Sequence, residues 1–63
     1  MIDWQRFAAA LGALRPDRAA FERSTGISHA RLHAAYSGKP LGTDIFIRIC
    51  VTIGLDPRDY WIG

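Results

Sequence analysis

Apolar residues recur at helical spacing along most of the chain, and the breaks between these stretches carry residues that start or end helices. Trp4, Phe7, Ala8, Leu11 and Leu14 make the first apolar stripe, with Asp3 in front of it as an N-cap. Ile2 and Phe7 stand at the two positions of a hydrophobic staple, and Gly12 weakens the far end of the helix. Arg15-Pro16-Asp17 interrupts the pattern, and Asp17 is the next cap. The second helix is predicted from Arg18 to about Thr25, with Ala20, Phe21, Ser24 and Thr25 on its inner face. Gly26 ends it, because glycine takes the left-handed conformation without steric cost. Ile27 can then bury its side chain beneath the turn. Ser28 caps a third helix reaching about Ser37, with Leu32, Ala35 and Tyr36 inward. Gly38 stops that helix and Pro40 forbids its continuation.

Thr43 reads as the cap of a fourth helix, and Asp44 lies in its first turn, where the helix dipole favours a negative charge. Phe46, Ile49, Cys50 and Ile53 share the core face, while Ile47 and Val51 lie on a second flank. Gly54 ends this helix. Asp56-Pro57 restarts the chain as cap and first helical residue, leading into a short turn with Tyr60, Trp61 and Ile62. The run from Ile45 to Ile53 has a strand-like composition, but its spacing and the stop signals around it favour a helix. The expected fold is all-α, a compact bundle of about five short helices in one domain over 1–63.

Composition agrees with a packed domain. Hydrophobic residues make up 49% of the chain, too many for a disordered segment. Its 63 residues suffice for one domain, and a domain of that size hides only about 60% of its unfolded surface. The single cysteine, Cys50, excludes an internal disulfide and reads as a small buried hydrophobe in a reducing compartment. No apolar run approaches the ~20 residues needed to span a bilayer. Met1-Ile2-Asp3-Trp4 lacks the basic region and apolar run of a signal peptide, so a cytoplasmic location is expected. The net charge of +2 is unevenly spread. From Arg15 to Lys39 five cations face two carboxylates, whereas the rest of the chain carries three against four. A basic middle can meet phosphates, although a solvated basic face is the commoner meaning of so small a bias.

The segment from about 17 to 38 has the parts of a helix-turn-helix. That motif needs two short helices at a steep angle, joined by three or four residues that often include glycine. Phe21, Ile27, Leu32 and Ala35 suit the lock between the helices. Ser28, His29, Ala30, Arg31 and His33 suit the outward N-terminal part of a recognition helix at about 28–37. Here the sequence resembles the Cro/CI phage-repressor type of helix-turn-helix, the Xre family. The resemblance rests on Thr25-Gly26-Ile27-Ser28 at the turn, Leu32 five residues after Ile27, and Tyr36-Ser37-Gly38-Lys39-Pro40 after the third helix. Phe46, Ile49, Cys50, Ile53-Gly54-Leu55 and Asp56-Pro57 extend it over nearly the whole chain.

The resemblance implies sequence-specific binding of double-stranded DNA by a small prokaryotic or phage transcriptional regulator acting as a homodimer. The third helix would lie in the major groove with Ser28, His29, Ala30 and His33 toward base edges. Arg31 would either read guanine or clamp a phosphate. Arg15, Arg18, Ser37 and Lys39 would face the phosphate backbone, Arg18 from a helix N-terminus. Arg6, Arg48 and Arg58 read as ordinary solvated charges. Dimer contacts would come from the apolar surface of Ile47, Val51, Tyr60, Trp61 and Ile62. Trp61 could equally cap the first helix of its own chain.

Two positions depart from the family pattern. Glu22 stands four residues before the turn glycine, where a small residue is usual, and Arg18 stands where glutamine often opens the helix. A carboxylate buried at Glu22 would be costly, so either the helix register shifts or Glu22 bends outward to pair with an arginine. This departure and the modest charge also permit a protein-interaction module of the same fold that no longer binds DNA. His29 and His33 stand four apart, as in a zinc peptidase helix, but Ala30 replaces the glutamate that chemistry requires. No third ligand and no nucleophile–base pair stand out. The expectation is therefore no metal, no cofactor, no small-molecule substrate, no enzyme activity and no membrane role.

Overall fold

Each of the first three helices begins on a side chain that accepts from one or two of its free amides. The computed structural model describes residues 1–62, and its elements are α1 (Trp4–Leu14), α2 (Arg18–Thr25), α3 (His29–Tyr36), α4 (Thr43–Ile53) and a closing 3-10 turn (Pro57–Tyr60). The Arg6 amide donates to Asp3 Oδ1 at 3.1 Å, and the amides of Ala19 and Ala20 donate to Asp17. Ser28 Oγ accepts from the Arg31 amide at 3.4 Å. The fifth expected helix is this single 3-10 turn, capped by Asp56, which accepts from the Arg58 amide at 2.9 Å. α3 stops at Tyr36 with Ser37 as its C-cap.

The start of α4 differs from expectation. Its N-cap is Gly42 rather than Thr43, and no side chain caps it. The Phe46 amide already donates to the Gly42 carbonyl at 3.0 Å, so Thr43 is the first helical residue rather than the cap. The Asp44 carboxylate folds back over Gly42: a Cβ at 42 would lie 2.7 Å from its Oδ1.

Packing pairs α1 with α3 and α2 with α4, and the 3-10 turn closes against both α1 and α4. Phe7, Leu11, Leu32, Ile49 and Cys50 are fully enclosed. Around Phe7 the rings meet edge to face: its centroid lies 4.8 Å from that of Phe46 and 5.4 Å from that of Tyr60. Trp4 joins the same cluster at 5.6 Å from Phe46. Such pairs add about 0.5–1.5 kcal/mol each beyond the area they bury. Burial also pushes the Cys50 thiol up to about 11, with the negative charge of Asp56 adding to the effect. The radius of gyration, 10.5 Å, is that of a fully collapsed chain of this length.

The two ends of the chain run side by side. The Asp3 amide donates to the Tyr60 carbonyl and the Ile62 amide to the Met1 carbonyl, both at 2.7 Å. Ile2 and Trp61 form an isolated antiparallel bridge, and no sheet exists among the described residues. Three burial assignments change, two inward and one outward. Leu14 is 51% exposed, because the left-handed Arg15 (φ 48°) turns the chain away before the stripe's last position reaches the core. Ser24 is exposed while its neighbour Thr25 is buried. Tyr60, expected on an apolar surface, is only 7% exposed and belongs to the aromatic cluster. Among the described residues no helix is long and apolar enough to cross a membrane.

Candidate nucleic-acid interface

The turn between α2 and α3 is fixed by backbone and side-chain hydrogen bonds. Gly26 has φ +68° and ends α2, its amide donating to the Glu22 carbonyl at 2.9 Å. Thr25 then holds the turn from inside: its hydroxyl donates to the Phe21 carbonyl at 2.8 Å and accepts from the Ile27 amide at 3.2 Å. Phe21, Ile27, Leu32 and Ala35 are all buried, as their spacing predicts. With these turned in, Ser28, His29, Ala30, Arg31 and His33 are all exposed along one stretch of the chain. Arg15, Arg18, Ser37 and Lys39 are exposed as well. Helical periodicity separates the outward residues from the inward Leu32 and Ala35 by roughly 100° steps.

Arg18 is not a free cation. Its guanidinium lies 4.1 Å from the centre of the Tyr36 ring and so links the start of α2 to the end of α3. A guanidinium stacked on its face keeps its edge N–H groups available to an anion. The Tyr36 hydroxyl is buried without a hydrogen-bond partner among the described residues, and burial raises its pKa while the charge of Arg18 works against that rise. Arg31 stands at the rim of a shallow groove formed with Pro40, Leu41, Gly42, Asp44 and Ile45.

Glu22 bends outward, but its partner is a histidine. Glu22 Oε1 approaches His29 Nδ1 to 3.4 Å, with the Glu22 side chain 32% and the His29 side chain 71% exposed. The cost of burying a carboxylate is thereby avoided without a change of register. Arg48, read from sequence as a solvated charge, reaches from α4 to the C-terminal end of α2, where its Nη1 donates to the Thr25 carbonyl at 3.5 Å. These contacts escape sequence reasoning because each joins residues across a turn or between helices, where periodicity carries no signal. The one usable clue was Glu22 itself, a charge at a position facing a neighbouring helix.

A second surface lies at the opposite flank of α4. Val51 is 74% and Trp61 61% exposed, and Ile47 and Ile62 are exposed too. Ile2, Phe46, Ile47, Pro57 and Trp61 border an open pocket of about 170 Å³ there. Arg58 flanks it, paired with Asp56 at 2.9 Å. Among the described residues no three histidine, cysteine or acidic side chains gather as a metal site. Compared with protein-family models, curated proteins and solved structures, the chain matches none.

Proposed function

We propose that the chain is a helix-turn-helix domain that binds double-stranded DNA through α3. The observation that carries this reading is the division of α3 and its cap. Leu32 and Ala35 are buried while Ser28, His29, Ala30, Arg31 and His33 are all exposed at the N-terminal half, the part of a recognition helix that meets base edges. Arg15, Arg18, Ser37 and Lys39 around it supply the phosphate contacts that hold register without reading sequence. The Cro/CI-like order of turn, third helix and exit supports the same reading and suggests a transcriptional regulator.

The exposed flank of Ile47, Val51, Trp61 and Ile62 is the surface through which two copies pair on half-sites about 34 Å apart. Tyr60 has no part in it. The same apolar flank also serves the second reading, a protein-binding module of this fold. Titration against a random duplex separates the two. DNA binding requires an affinity that falls steeply as salt is raised, because cations displace condensed counterions from the phosphates. Arg31→Ala and His33→Ala should alter sequence preference, and Lys39→Ala should weaken all duplexes alike. No binding at low salt would overturn the DNA reading and leave the protein module.

A further inference from the structure

The pairing of Glu22 with His29 assigns a chemical polarity to the outward imidazole. His29 is the first residue of α3, and its side chain is mostly exposed. Only its Nδ1 side faces a carboxylate, Glu22 Oε1, at 3.4 Å. A neutral imidazole carries its proton on one nitrogen and a lone pair on the other. A lone pair on Nδ1 would point at a negative oxygen, whereas an N–H there is attracted to it. The neighbour of one ring nitrogen thus decides what the other presents.

We propose that Glu22 is a positioning residue that, in the neutral imidazole, keeps the His29 proton on Nδ1, so that Nε2 is offered outward as a hydrogen-bond acceptor. Resting on the DNA reading above, this makes His29 a reader of donor groups. In the major groove those are the exocyclic amines of adenine and cytosine, while guanine and thymine offer acceptors at the corresponding edges. The carboxylate that departs from the usual small residue thereby gains a role: it selects which base edge His29 accepts.

The free protein tests the first half. Nitrogen-15 chemical shifts of the two histidines at alkaline pH report which nitrogen is protonated, and His33, exposed on the same helix, is the internal control. His29 should show the Nδ1–H tautomer and His33 the Nε2–H form that an unconstrained histidine prefers. In Glu22→Ala, a change that favours helix, His29 should revert to the His33 pattern while the far-ultraviolet circular dichroism stays unchanged. An Nε2–H tautomer in the wild-type chain, or no change in Glu22→Ala, overturns the inference. Selection of duplexes from a random pool tests the second half. The wild type should enrich adenine or cytosine at one position, and Glu22→Ala should lose that preference by several-fold with the other positions kept. A preference that survives Glu22→Ala overturns the reading role of the pair. Failure to select any duplex overturns the proposed DNA binding itself, and is distinguished from the first failure by the tautomer measurement.

Discussion

The aromatic end of the molecule and the α2–α3 end are built on different principles. Around Phe7, the rings of Trp4, Phe46 and Tyr60 come from α1, α4 and the 3-10 turn, so one side chain joins three elements far apart in sequence. The α2–α3 end has one buried phenylalanine, Phe21, and smaller buried residues, Ile27, Leu32 and Ala35, where α3 packs on α1 and α2 on α4; short-range devices add to this, namely the Asp17 cap, the Thr25 hydroxyl and the left-handed Gly26. Local devices of this kind contribute about 1 kcal/mol each, whereas a buried aromatic contributes several. The aromatic end thus rests on a few large rings, whereas the α2–α3 end divides its stability among many smaller contributions.

The sharpest way to break this contrast is Phe7→Ala. Emptying the ring's site should cost about 3–5 kcal/mol, comparable to the whole stability of a small domain, so the thermal transition should vanish or fall far below that of the wild type. A loss under about 1 kcal/mol would show that the aromatic end is not the anchor.

Alkali should attack the same end. Cys50 is held as a neutral thiol with its pKa at about 11 against an ordinary value of 9.0. The folded chain thus keeps a proton that the unfolded chain releases. The contribution is complete below pH 9.0 and is lost as pH rises toward about 11. Its slope can reach about 1.4 kcal/mol per pH unit. Urea melts across this window should show the decline, and Cys50→Ala should flatten it. Tyr60, raised chiefly by burial, adds a loss of the same sign at higher pH.

Gly26→Ala probes the other end. No atom lies within 4 Å of a Cβ placed there, so the cost is the left-handed backbone alone, about 1–2 kcal/mol. Urea denaturation should find that loss, with the near-ultraviolet signal of the aromatic cluster unchanged in the folded state. The smallest effect on stability is expected from Arg31→Ala, within about 0.5 kcal/mol. The same variant should alter duplex preference, and affinities unchanged from the wild type for every duplex would remove Arg31 from the interface.

The difference between the two ends also explains what was legible in the chain beforehand. The caps Asp3, Asp17, Ser28 and Asp56, and the stops at Gly26 and Gly54, act on neighbours within a few residues, so sequence alone locates them. Leu14 misled for the opposite reason, since whether it is covered depends on where the chain turns at Arg15. Tyr60 looked like surface because its partners Phe7 and Phe46 are remote in sequence. At the candidate interface, exposure of Ser28 through Arg31 followed from the cap and the inward Leu32. The engagement of Glu22 with His29 depended on how two helices cross, which spacing does not encode.

The stitch between the chain ends carries a consequence for the order of events in folding. Ile2 and Trp61 are separated by almost the full chain, so bringing them together removes more loop entropy than any contact within or between neighbouring helices. Local helices form on far shorter timescales than such long closures. The Phe7–Tyr60 ring contact closes almost as long a loop, so both are expected to form after the local helices. By the same logic the stitch opens before the α4 core: the amides of Asp3 and Ile62 exchange with solvent through a local parting of the ends, while those of the α4 core wait for global unfolding.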